Sequence, residues 1–363
     1  MIINKNIYII LFAAVATMAC AFVQNMAFPP SPTPEAVSSP QPQGSPTTFS
    51  QIPTLIAEPI STVESIHCSD DSCLQACLSR LDEVLETRPF DSIGNSIYEE
   101  QGANFNLVIY KVDGDEITEP AILYVPPDYH KYQEDTASHQ RIWDFYVAII
   151  PPELRKWVNE FVIFTDGSGG DAGAWVSPSA TDINYWQVGF DLLDSDYPPF
   201  LAEALVHETG HLLTLNTSQV PYDGDIYYYY DEKRDMVQGC DQYAVDGGCS
   251  LPDSYINLFY QRFWRDTYAE WWAVEKEAQD TESFEEYLQI MEQFYDNHSD
   301  LFLNSYAATN VEEATAESFA FFVLNPRPTG NSIPEQKVSF YYEFPELVDA
   351  RQQIIEGLCS YIQ

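Results

Sequence analysis

The pattern of apolar and polar positions divides the chain into three regions. Residues 7–19 form a nearly unbroken apolar run behind Lys5. Residues 22–60 are rich in Pro, Ser, Thr and Gln and show no periodicity. From about Ser61 onward, apolar positions recur at strand or helix spacing, which predicts one folded domain over 61–363. Its clearest stretch is 201–215, where Leu201, Leu205, Leu212 and Leu215 lie on one side of a helix. Pro198 and Pro199 suit the first turn of that helix, and Asp196 can cap it.

Around this helix the chain predicts strands first and helices afterwards. A helix is predicted over 73–85, with Leu74, Leu78, Leu81 and Leu85 at three- and four-residue steps. Strands are predicted over 104–112 and 121–125, with a turn at Asp113-Gly114 after the first. Residues 142–149 read as a helix ending at Pro151-Pro152, and 161–165 as a short buried strand. Residues 172–176 and 185–190 suggest a hairpin-like pair. Beyond the central helix, 255–273 and 281–295 look helical, with aromatics at core spacing. A last motif helix begins after a capping box of Thr309 and Glu312 and has ended by Pro326. The expected fold class is α+β: a mixed sheet packed on the central helix, then a mainly helical C-terminal part.

The ends of the chain add a destination. Residues 1–21 have the positive start, short apolar run and small-residue site of an export signal. Cys20 invites a second reading, the lipid-bearing cysteine of a bacterial lipoprotein, with membrane attachment through it. Without Cys20 six cysteines remain (Cys68, Cys73, Cys77, Cys240, Cys249 and Cys359), an even number that an exported protein can pair. Cys240 and Cys249 flank Asp246-Gly-Gly248 and suit a locally closed loop. Residues 22–60 read as an extended tether, because such composition cannot bury enough surface to fold. The localisation expected is secreted or cell-surface.

Charge narrows the partners. The chain carries 56 acidic and 16 basic residues, a formal net charge of −40. Nucleic acid and anionic membrane surfaces both require basic patches, so neither is an expected partner. The tyrosine cluster at 227–230, in an acidic loop, reads either as the lining of a substrate cleft or, in preference, as the packed underside of a surface loop.

Candidate chemistry lies on the central helix. His207 and His211 are four residues apart, so one helical turn brings both imidazoles to one face. Glu208 projects about 100° around from His207, where it can reach an activated water without binding the metal. This is the H-E-x-x-H pattern of zinc hydrolases. A catalytic zinc requires a third protein ligand and an open position. Thr217 stands where a metzincin has its third histidine, which excludes that class. Downstream, Glu313 and Glu317 sit four apart on one helix face. The first can bind zinc, and the second can accept the free N–H of a ligand histidine.

With these residues in view, the chain resembles the gluzincin metallopeptidases of the zincin superfamily. The run Tyr306-x-x-Thr-Asn-x-x-Glu313-x-x-Ala-Glu317-x-Phe319, with His207-Glu-Thr-Gly210-His211, is similar to the catalytic domain of the anthrax lethal factor type. The resemblance covers the two motif helices. The stretch between His211 and Glu313 is longer than in those relatives and holds Cys240 and Cys249, so substrate preference does not carry over. The resemblance implies zinc held by His207, His211 and Glu313, Glu208 as general base, Tyr306 as an aid to catalysis, and Glu317 behind a ligand. It also implies a sheet-edge strand that pairs with a peptide or protein substrate; either 172–176 or 185–190 can be that strand. Two other readings of the same residues are a surface-anchored binding protein with a non-catalytic zinc site, and a zinc amidohydrolase acting on a non-peptide amide.

Overall fold

The computed structural model describes residues 105–166, 173–195, 198–222, 240–245, 247–281 and 284–361. The expected export segment over 1–21, the expected tether over 22–60, the helix expected over 73–85, Cys20, Cys68, Cys73, Cys77, Asp196 and the tyrosines at 227–230 lie outside them.

The described chain starts as a sheet. Strand β1 (Phe105–Asp113) turns at Gly114, whose φ of 64° is the left-handed region that glycine enters without strain, and returns as β2 (Glu116–Ile122). The second strand therefore lies earlier than the predicted 121–125. It is an outer strand with most side chains in solvent, so it has none of the apolar alternation that marks a half-buried strand. Pro120 is tolerated there because an edge strand can go without a ladder donor.

Helix α1 (Thr136–Ile149) packs on one face of the sheet through Trp143 and Tyr146, which meet Phe161 and Phe190. It is capped by Asp135, whose side chain accepts the N–H of Ser138, and it ends before Pro151, as predicted. Three further strands follow: β3 (Val158–Thr165), β4 (Ala174–Pro178) and β5 (Trp186–Asp191). The sheet order is β2-β1-β3-β5-β4, with β3 and β5 parallel and the other neighbours antiparallel. The hairpin-like pair is thus real, and β4 is its outer member. Strand β3 is buried on both faces: Phe161 and Ile163 join the main core, while Val162 and Phe164 pack with Trp175 on the other side.

The remaining elements are mostly helices. Helix α2 (Pro198–Leu215) carries the H-E-x-x-H motif and begins at the predicted prolines. A small loop follows in which Cys240 and Cys249 form the expected disulfide across the two-residue strands β6 (Ala244–Val245) and β7 (Gly248–Cys249). Cys359 is disulfide-bonded as well. Then come α3 (Tyr255–Phe263), α4 (Tyr268–Gln279), α5 (Phe284–His298), α6 (Val311–Leu324), α7 (Ile333–Phe340) and α8 (Pro345–Tyr361). The single helix expected over 255–273 is two. The break falls at Trp264, which is fully buried against Trp271 and Phe302, and the chain must change direction to insert it. Neither Gly nor Pro marks that break.

The molecule is α+β, a mixed sheet followed by a helical C-terminal part, with α2 between them. Among the described residues no helix is long and apolar enough to cross a membrane.

Candidate metal and catalytic site

Helices α2 and α6 lie against each other through small residues. A Cβ on Gly210 would come within 3.0 Å of the Ala316 Cα and 3.3 Å of the Phe319 Cβ. Glycine at this point therefore permits the close approach that sets the two motif faces opposite one another. Buried hydroxyls on the two helices bond back to their own backbones: Thr209 to Leu205, Thr214 to Gly210, Thr315 to Val311 and Ser318 to Ala314. The far end of α6 is held from α8, where Arg351 donates to the carbonyls of Phe322 and Asn325.

The start of α6 differs from the capping box expected of Thr309 and Glu312. Asn310 is the cap: its side chain accepts the N–H of Glu313 at 2.7 Å. Thr309 donates back to the Tyr306 carbonyl and closes a short 3-10 turn over Tyr306–Ala308. Glu312 instead accepts from the hydroxyl of Tyr243, which belongs to the disulfide loop. Glu312 has a structural role, though not the one expected.

Every side chain singled out from the motifs meets in this seam. His207, His211 and Glu313 each offer one ligand atom, and these atoms lie within 4.8 Å of one another. The Glu313 Oε2 is 3.1 Å from His207 Nε2 and 3.3 Å from His211 Nε2. All three residues are buried, His211 completely. On the far side of its ring, His207 Nδ1–H donates to Glu317 Oε1 at 2.7 Å. That contact fixes the tautomer whose Nε2 faces Glu313 and His211. Both glutamates are 3% exposed, so neither belongs to a solvated acidic face.

Electrostatics follow from burial. Burial opposes charge on His207, but hydrogen bonds and charge from Glu313 and Glu317 outweigh it and hold its pKa well above that of an ordinary imidazole. Burial likewise raises the Glu313 carboxyl, yet the two histidines pull it far below the usual carboxylate range. For Glu208 burial outweighs the pull of the two histidines and pushes the carboxyl up to about 7. One backbone contact supports it, the N–H of Val176 on β4, and its Oε2 has no hydrogen-bond partner among the described residues. The ring of Tyr306 lies 5.7 Å from that of His207, centroid to centroid. Burial and the surrounding carboxylates, Glu313 first, hold its phenol protonated well above the ordinary range.

Two features escaped the motif reading. Asn304 is 3% exposed and donates to Glu317 Oε2 at 2.7 Å. No spacing rule marks a lone asparagine in a loop. Asp191, fully buried at the end of β5, accepts the N–H groups of Asp166, Leu193 and Asp194 and so ties the ends of β3 and β5 together. Its carboxyl is pushed up to about 7, chiefly by burial.

In comparisons with known proteins, no family model, no curated protein and no solved structure matches the chain.

Proposed function

We propose that the chain is an exported zinc-dependent metallopeptidase with a zincin-like domain. The observation that carries this reading is the His207 ring held between two carboxylates, Glu317 on Nδ1 and Glu313 on Nε2. Two nitrogens and one carboxylate oxygen, all buried and with the His207 ring oriented from behind, are the donor set of a catalytic zinc with a position left open. The residues fit the ion. The unpartnered Glu208 Oε2 beside them fits a general base better than a closed structural site, in which protein would fill every position.

His207, His211 and Glu313 would hold the zinc, which when bound would lower the pKa of a water toward neutrality and polarise a carbonyl. The chain's own residues supply the rest. Glu208 takes the water's proton and later delivers it to the leaving nitrogen, while the Val176 N–H holds its carboxylate in place. Tyr306, protonated across the working pH range, donates to the oxyanion that develops on the substrate. Among the described residues strand β4 is the outer strand of the sheet and lies beside α2, and its outer side is where an extended peptide would add as a further strand.

The test is hydrolysis of a peptide library by the mature domain and by Glu208→Gln. The variant is expected to keep its zinc and to lose at least about 100-fold in turnover, the scale of a lost general base. A Glu208→Gln variant as active as the wild type would remove Glu208 from the mechanism.

A further inference from the structure

The two histidines of the site are held differently. His211 meets Glu313 through Nε2, but its Nδ1 has no hydrogen-bond partner among the described residues, so no carboxylate orients that ring from behind. His207 depends on Glu317, and Glu317 depends on Asn304. Asn304 has a second contact: its Oδ1 accepts the N–H of Ala307 at 2.8 Å, within the 3-10 turn that carries Tyr306. One buried amide therefore joins the turn bearing the phenol to the carboxylate behind a ligand histidine.

We infer that Asn304 is a positioning residue which orients His207 through Glu317 and sets the Tyr306 turn in register with it. This role rests on the metal-site reading above and follows from hydrogen-bond direction. Glu317 is buried and its two oxygens face different donors, His207 Nδ1–H on Oε1 and Asn304 Nδ2–H on Oε2. A carboxylate so held cannot rotate without stranding a buried donor, which is costly. The His207 ring is then fixed in both tautomer and plane. Any residue at 304 without a donor toward Oε2 frees the carboxylate to turn, and His207 with it.

The pair has a built-in exchange. Asn304→Asp keeps an acceptor for the Ala307 N–H but sets two buried carboxylates face to face. Glu317→Gln alone sets an amide donor against the Asn304 amide when its oxygen stays on His207. Combined, the two changes restore every direction. The amide introduced at position 317 accepts from His207 through its oxygen and donates through its nitrogen to the carboxylate introduced at position 304. Net charge is unchanged and volume nearly so.

The experiment measures zinc affinity by chelator competition and the absorption spectrum of the cobalt-substituted site, for wild type, both single variants and the double. Each single variant is expected to lose roughly 10- to 100-fold in affinity, the usual scale for a residue behind a metal ligand, with an altered cobalt spectrum. The double is expected to regain much of the affinity and the wild-type spectrum. If a single variant does not fold, recovery of the fold in the double is the same test. Single variants that bind zinc as the wild type does, or a double no better than the worse single, would overturn the inference. A folded wild type that binds neither metal would overturn the metal-site reading itself.

Discussion

At the residue scale, burial separates the charged groups that serve the site from one that does not. His207 and Glu313 are buried, but each compensates the other. Lys337 on α7 is equally buried and has no hydrogen-bond partner among the described residues. Its amine faces the rings of Phe302, Trp264 and Phe259 at 4.2, 5.6 and 6.0 Å. Cation–π attraction offsets part of the desolvation cost, and burial still pulls its pKa down to about 7. The sign follows from the proton count. Between about pH 7 and the ordinary lysine value near 10.4, the unfolded chain binds a proton that the folded chain does not. Stability from this residue is therefore complete at high pH and declines as pH falls, levelling off below about 7. Lys337→Met should remove that slope and raise stability at neutral pH by on the order of a few kcal/mol. Denaturant unfolding of both proteins from about pH 6 to pH 10, the span of the two lysine values, checks this; parallel curves would show that Lys337 is already charged in the fold.

At the element scale, the site is a product of two helices in contact. Gly210 controls their spacing, because any side chain there meets the backbone of Ala316. Gly210→Val should cost about 1–3 kcal/mol through overpacking and should weaken zinc binding by moving Glu313 away from the histidines. Calorimetry of the zinc-free protein and chelator competition together separate the two effects; unchanged zinc affinity would mean that the helices are not held this closely. Much of this arrangement is legible in the sequence. Helix α2 announces itself by leucine periodicity and starting prolines, and Glu313 and Glu317 by their four-residue spacing. What is not legible depends on tertiary contact. Strand β2 is an exposed edge and carries no alternation, so its position follows only from the Gly114 turn and its pairing with β1. Trp264 breaks a helix to fill the core, and aromatic periodicity runs straight through it. Asn310 displaces Thr309 as the cap because Thr309 closes the preceding turn. The role of Asn304 exists only once a loop and α6 are side by side.

At the scale of the whole molecule, the sheet and the helical part each contribute one half of the site. Strand β4 and α2 bring the sheet edge, Glu208 and both histidines; the C-terminal half brings Tyr306, Glu313, Glu317 and Asn304. The disulfide loop between them reaches the start of α6 through Tyr243 and Glu312. Residues distant in sequence thus converge only in the folded chain, so a bound metal stabilises the fold by mass action and is itself a probe of it. The decisive measurement is the metal content of the purified mature protein, taken with His211→Ala and Glu313→Ala. About one zinc per chain is expected in the wild type, as a single catalytic site requires, with binding weakened in both variants. A folded wild-type protein that holds no zinc, and takes up none when it is supplied, would refute the zinc site and the hydrolytic chemistry built on it.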